Sequence, residues 1–408
     1  MIKKWFKNIG PGTLVAAAFI GPGTVTLCSL AGVQFGLSLL WAMVLSIVAT
    51  ILLQEMAARL GIVSQKGLSE VIRNEIKNPL LRRFALVLIL SAIVIGNAAY
   101  QAGNISGGVM GLETVLGAAT FRIGSLTLNY FSILIGFIAF LFLFIGNYKF
   151  LERALISLVL VMSFSFIVTA ILTKPNLIEV FKGAFIPKFP KGSLLTIVGL
   201  IGTTVVPYNL FLHASLVKEK WNSPKDLSKV RKDTVISILL GGIVSMAIII
   251  SAAAIQTTEI HNASDLAKGL EPLFGTFAKY FLALGLFAAG ITSAITAPLA
   301  AAYVARGCLG WDNNLKANKF RLVWIVVLLL GVVFSSLGVR PIEIIKFAQV
   351  ANGILLPVVA GFLLWIMNKQ SVLGRYINSS LQNILGFLIL AFTIFLGLKG
   401  ALKVFNLM

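Results

Sequence analysis

Acid is scarce in this chain. Only 14 of its 408 residues are Asp or Glu, against 34 Lys and Arg, for a formal net charge of +20. None of these carboxylates falls at the centre of a long apolar run. Glu55 comes nearest, four residues before Arg59, which is the spacing of a helical ion pair. Cysteine is scarcer still. Cys28 and Cys308 lie in or beside apolar segments without metal-ligand spacing, which argues against a zinc site or a disulfide framework. No Gly-rich loop ending in Lys-Ser or Lys-Thr is present, so ATP drive within the chain is not expected. Long polar stretches are missing too. The longest, 63–83 and 218–232, are too short to house a soluble nucleotide-binding or output domain. No nucleophile–base set is visible, so the chain does not read as an enzyme and calls for no cofactor.

What the chain has is apolar sequence. It is 58% hydrophobic and 12% charged, and runs of about 20 apolar residues, the length that crosses a ~30 Å hydrocarbon layer, recur throughout. This predicts an all-α polytopic membrane protein of one transmembrane domain, with the lipid bilayer as its surroundings. About eleven spans are expected, near 13–33, 37–61, 84–112, 128–147, 152–173, 193–217, 234–256, 276–308, 321–338, 342–367 and 380–404. The positive charge reads as basic loops facing the cytoplasm rather than as a nucleic-acid surface. Most Lys and Arg fall on one side if the N-terminus is cytoplasmic, which puts the C-terminus outside, in a bacterial inner membrane. The basic start Met1–Lys7 and the apolar run after it read as an uncleaved first helix rather than a signal peptide.

Two spans are interrupted at mid-length. The first breaks at Gly21-Pro22-Gly23-Thr24, the sixth at Gly202–Asn209, which contains Pro207. Proline removes a backbone donor, and lipid cannot satisfy the carbonyl it frees, so such backbone must lie in protein or line a cavity. Interrupted helices at matching places in two halves point to a transporter binding site. They sit five spans apart, which predicts an inverted repeat, about 13–173 and 193–367, with an added helix at about 380–404. Short amphipathic stretches, 69–76 and 264–274, occupy corresponding places. Candidate site residues near the breaks are Thr24, Thr26, Thr203, Thr204, Tyr208 and Asn209. Asn97, Gln101, Asn104, Thr292, Ser293, Thr296, Gln349 and Asn352 come from other spans. The third span is rich in glycine, and Gly103, Gly107 and Gly111 at four-residue spacing suit close helix packing.

At these residues the chain resembles the NRAMP family of divalent-metal transporters, built on the LeuT-type 5+5 inverted repeat. The resemblance runs through Gly10-Pro11-Gly12, Leu53–Val63, Gly202–His213, Ala289–Ser293 and Gln349-Val350. It implies alternating access, with spans 1, 2, 6 and 7 moving against 3, 4, 8 and 9. The family's first-helix motif is Asp-Pro-Gly-Asn, where this chain has Gly21 and Thr24 around Pro22-Gly23. The sixth-helix motif is Ala-x-x-Met-Pro-His, where this chain has Thr203, Val206 and Tyr208. The family's acidic residues on the third helix are matched by Gly96-Asn97 and the amides beyond. The expected site therefore comprises Gly21, Thr24, Gln101, Asn104, Thr203, Val206, Tyr208 and Gln349. It suits a cation held by neutral oxygens, such as hydrated Mg2+. The alternatives are a neutral or zwitterionic organic solute, for which Gly21 and Val206 leave room, and a non-transporting sensor on the same fold.

Overall fold

The computed structural model describes residues 20–118, 120–124, 126–146, 149–255, 260–312 and 314–404. They form helices α1 (Pro22–Phe35), α2 (Leu40–Ser64), α3 (Leu68–Glu75), α4 (Pro79–Leu116), α5 (Tyr130–Ile145) and α6 (Lys149–Leu172). There follow α7 (Leu177–Phe185), α8 (Leu194–Thr204), α9 (Pro207–Lys220), α10 (Leu227–Ala253), α11 (Ala263–Ala267) and α12 (Glu271–Phe274). The last are α13 (Ala278–Leu309), α14 (Asn318–Ser336), α15 (Pro341–Met367), α16 (Gln370–Leu373) and α17 (Ser380–Val404). Nine helical stretches among the described residues are long and apolar enough to cross a membrane. One of them, Pro22–Ser64, contains both α1 and α2, joined by a turn at Gly36, where φ is +58°; α5 is a shorter apolar helix. Counted as separate passes, these are the eleven spans expected.

Local chemistry explains most helix starts. Pro22, Pro79, Pro207 and Pro341 open their helices in the first turn, where a missing N–H removes no helix bond. Asn78 and Asn176 cap α4 and α7 through their side-chain oxygens. The amphipathic stretches expected after spans two and seven form α3 and the short turns α11 and α12. A hairpin of Thr120–Ile123 with Leu126–Asn129, antiparallel with Thr120 opposite Asn129, and helix α7 occupy segments that read only as connections. The expected first half of span one lies outside the described residues, as do Gly10-Pro11-Gly12 and Lys3, Lys4 and Lys7.

The helices pack as two bodies. Helices α1, α2, α8, α9 and α10 lie against one another, and so do α4, α5, α13 and α14. Two helices pack on both bodies, α6 on α10 and α13 and α15 on α4 and α8, and the bodies also meet directly where α9 packs on α13 and α1 on α4. Glycines allow the closest approaches. A Cβ on Gly107 would collide with Pro22, and one on Gly290 would lie 2.7 Å from the Gly108 Cα. Large apolar side chains such as Leu80, Phe84, Phe137 and Phe164 face outward, as lipid-facing positions require.

Candidate functional site

The sixth span breaks where the sequence places Pro207. Helix α8 ends at Thr204, Val205 and Val206 leave helical geometry, and α9 begins at Pro207. Pro207 has no N–H to return to the Thr203 carbonyl, so that carbonyl loses its intrahelical donor. The hydroxyls beside it are held by their own helix. Thr203 Oγ1 donates to Leu200 O at 2.7 Å, and Thr204 Oγ1 donates to the same carbonyl at 3.2 Å. Helix α1 begins with Gly21 extended before it and no side-chain cap. Gly21 has no side chain with which to cap that first turn.

Helix α15 brings the two breaks together. The Gln349 side-chain amide lies against Gly23 of α1, where any Cβ would collide with it. The Gln349 carbonyl lies against Gly202 of α8, with Gly353 N nearby. One glutamine therefore touches both the start of α1 and the end of α8, and glycine on each allows it. Its Oε1 is buried without a hydrogen-bond partner among the described residues. Thr24, Thr203, Val206, Tyr208 and Gln349 are each at most 1% exposed, so the described part of this region is buried. Gly21 is buried with them.

The third span presents two faces. Gly96, Tyr100, Gly103 and Gly107 turn toward α15, α9 and α1. The Tyr100 ring packs edge-on against Tyr208, with centroids 5.5 Å apart. Asn97, Gln101 and Gly108 turn toward α13. Asn97 Nδ2 donates to Ala297 O at 2.8 Å and Gln101 Nε2 to Ala294 O at 2.9 Å. Pro298 lies inside α13 and cannot donate to Ala294 O, so Gln101 supplies the missing donor. Gln101 Oε1 and Asn104 Nδ2 stay without partners among the described residues. The Asn104 carbonyl lies beside Gly290 of α13. Thr292 and Thr296 bond back to their own helix.

Below the break, His213 Nδ1 and Gln54 Oε1 are 2.9 Å apart and join α9 to α2. Tyr100 and Gln54 are additions to the expected set. Tyr100 shares a helical face with Gly96 and Gly103, a phase visible in the sequence, whereas Gln54 is visible only as a polar residue in an apolar span. Among the described residues no three of His, Cys, Asp and Glu gather as a metal-holding group. The 256–259 segment, with Glu259, lies outside them.

The family model for natural resistance-associated macrophage protein-like (Nramp) proteins matches residues 12–403. The chain belongs to the Nramp family. A divalent metal cation transporter, MntH, of Caldanaerobacter subterraneus subsp. tengcongensis is 27% identical, over 97% of this chain and 92% of its own length. A metal transporter nramp1 homolog of Dictyostelium discoideum is 28% identical, over 98% and 77%. The structure of the Eremococcus coleocola manganese transporter with an aromatic bis-isothiourea substituted compound superposes with a TM-score of 0.75. It is 20% identical and covers 96% of this chain and 85% of that one. MhsT in complex with L-phenylalanine superposes at 0.59, with 16% identity over 96% and 97%.

This Nramp protein is an integral membrane protein and a secondary transporter, not an enzyme. The LeuT-type helical fold is shared with both superposed structures. No nucleic-acid-binding or ATP-binding domain is evident in the described residues.

Proposed function

We propose that this Nramp protein carries a divalent cation across the bilayer by alternating access, and that the ion binds between the two half-helices at Gln349. The observation that carries this reading is the position of that side chain, against Gly23 of α1, with its backbone against Gly202 of α8 and its Oε1 unpartnered. The freed Thr203 carbonyl and Thr24 complete a neutral oxygen set, with Gly21, Val206, Tyr208, Asn104 and Gln101 forming the surrounding wall. The names of the relatives, divalent metal cation transporter and manganese transporter, support the cation class.

The neutral donors favour an ion that keeps part of its water, such as Mg2+. A carboxylate–cation pair at 4 Å is worth roughly 4 kcal/mol per unit charge at an effective dielectric near 20. Without Asp and Met at the matched positions, tight capture of a dehydrated transition metal is not expected, and neither is family-type proton coupling. Burial of these residues fits a cycle in which the α1–α2–α8–α9–α10 body moves against the α4–α5–α13–α14 body to admit the ion. The repeat boundaries 13–173 and 193–367 fit this division, and the Lys and Arg distribution supports a cytoplasmic N-terminus in a bacterial inner membrane.

Uptake into proteoliposomes tests the assignment. Saturable Mg2+ uptake that Gln349→Ala with Thr24→Ala abolishes is the expected result; uptake that survives both changes removes the ion from this site. The absence of a gathered acidic set among the described residues favours one second reading, an organic solute whose carboxylate lies at the start of α1. That reading requires solute binding that EDTA leaves unchanged.

A further inference from the structure

Arg59 is 2% exposed and ties together parts of the chain that the transport cycle must separate. Its Nη1 donates to Tyr376 O at 2.8 Å and Ile377 O at 3.1 Å. Its Nη2 donates to Asn378 Oδ1 at 2.7 Å and Glu55 Oε2 at 3.1 Å. Glu55 Oε1 accepts from Arg231 Nε of α10 at 2.7 Å. The carboxylate therefore holds α2 to α10 inside one body. The guanidinium holds that body to the strap 376–378 between α15 and α17. The strap is itself fixed to both helices: Asn378 N donates to Met367 O at 3.0 Å, and Asn378 Nδ2 to Asn383 Oδ1 at 2.9 Å.

We infer that Arg59 is the latch that keeps this end of the transporter closed, with Tyr376, Ile377 and Asn378 as its catch. Two observations carry the inference. The Glu55 side of the network lies within α2 and α10, which belong to one body, so it survives a rigid movement of that body. The strap side crosses from α2 to the end of α15, which packs on α4 of the other body as well as on α8, so it breaks or slides wherever α15 stays with α4 as this end opens. A guanidinium suits the task because one planar fork reaches two carbonyls, an amide oxygen and a carboxylate together; an ammonium cannot match that geometry. A hydrogen bond to a charged group shifts an equilibrium by roughly ten- to a hundredfold. Loss of the catch should then move the closed–open balance at this end by about tenfold or more.

The inference rests on the alternating-access reading but not on the substrate. Its test reads accessibility rather than transport. A Thr24→Cys reporter in a chain carrying Cys28→Ser and Cys308→Ser is reconstituted in vesicles of either orientation. An impermeant thiol reagent is applied to one face at a time, and melting temperature is recorded for each variant. Arg59→Lys keeps the charge beside Glu55 and loses the fork; Asn378→Ala removes one catch and keeps Arg59. The expected result is a labelling rate raised about tenfold from the face bearing 376–378 and lowered from the other, in either variant that stays folded. An unchanged rate at both faces in folded Asn378→Ala protein, or an equal rise at both, would overturn the latch. A one-sided rise in labelling, together with no cation transport by the chain that keeps Thr24, would uphold the latch and reject the proposed substrate instead.

Discussion

At the scale of single residues the account turns on Gln349 and the two glycines that admit it. Gly202 packs on the Gln349 carbonyl and Gly353 N, both backbone, so neither neighbour can rotate away. Gly202→Ala should lower stability by about 1–3 kcal/mol through overpacking, read as a fall in melting temperature. An unchanged melting temperature would mean the helices stand farther apart. The matched family positions give a gain-of-function prediction. Gly21→Asp with Thr24→Asn and Val206→Met should raise Mn2+ affinity by a decade or more in a calorimetric titration. The added carboxylate supplies roughly 4 kcal/mol per unit charge before desolvation at an effective dielectric near 20. No gain would put the residue matching in error. Gln349, Thr24 and Thr203 are visible in the sequence as polar residues in apolar spans. That Gln349 touches both breaks is not visible, because it depends on where α15 crosses α1 and α8.

At the scale of helices, proline sets the geometry and amides repair it. The break at Val205-Val206 is legible because Gly202 and Pro207 state it in local backbone chemistry. The direction of Gln101 is not legible, because helix phase alone does not say which neighbour each face meets. In the structure it completes the Ala294 carbonyl that Pro298 leaves without a donor. Gln101→Leu should therefore cost about 1–3 kcal/mol of stability by orphaning that carbonyl. The same change in a Pro298→Ala background should cost markedly less, because an alanine at that position returns the backbone N–H. Equal costs in the two backgrounds, measured by thermal or denaturant unfolding as a double-mutant cycle, would rule out this pairing. The hairpin at 120–129 and helix α7 escape a reading based on apolar periodicity because both are short and lie between spans. Asn176 at the N-cap of α7, with Glu179 in its first turn, is the local signal that identifies that helix.

At the scale of the whole molecule, eleven apolar passes, two of them interrupted in the sequence, specify the fold, while the acid inventory shapes the chemistry. Glu55 is the most deeply buried carboxylate described, and it is engaged by Arg59 and Arg231 away from the breaks. Under the proposed reading, a divalent ion at the midplane depends on neutral oxygens and half-helix ends. The site should discriminate against soft metals and bind a hydrated hard ion weakly but saturably. The most direct test is calorimetric titration of the purified protein with Mg2+ and Mn2+, repeated on Gln349→Ala. The account predicts saturable Mg2+ binding, weaker or absent Mn2+ binding, and loss of the Mg2+ signal in the variant. Heat that Gln349→Ala leaves unchanged, or silence toward both metals with saturable binding of an organic solute, would contradict it.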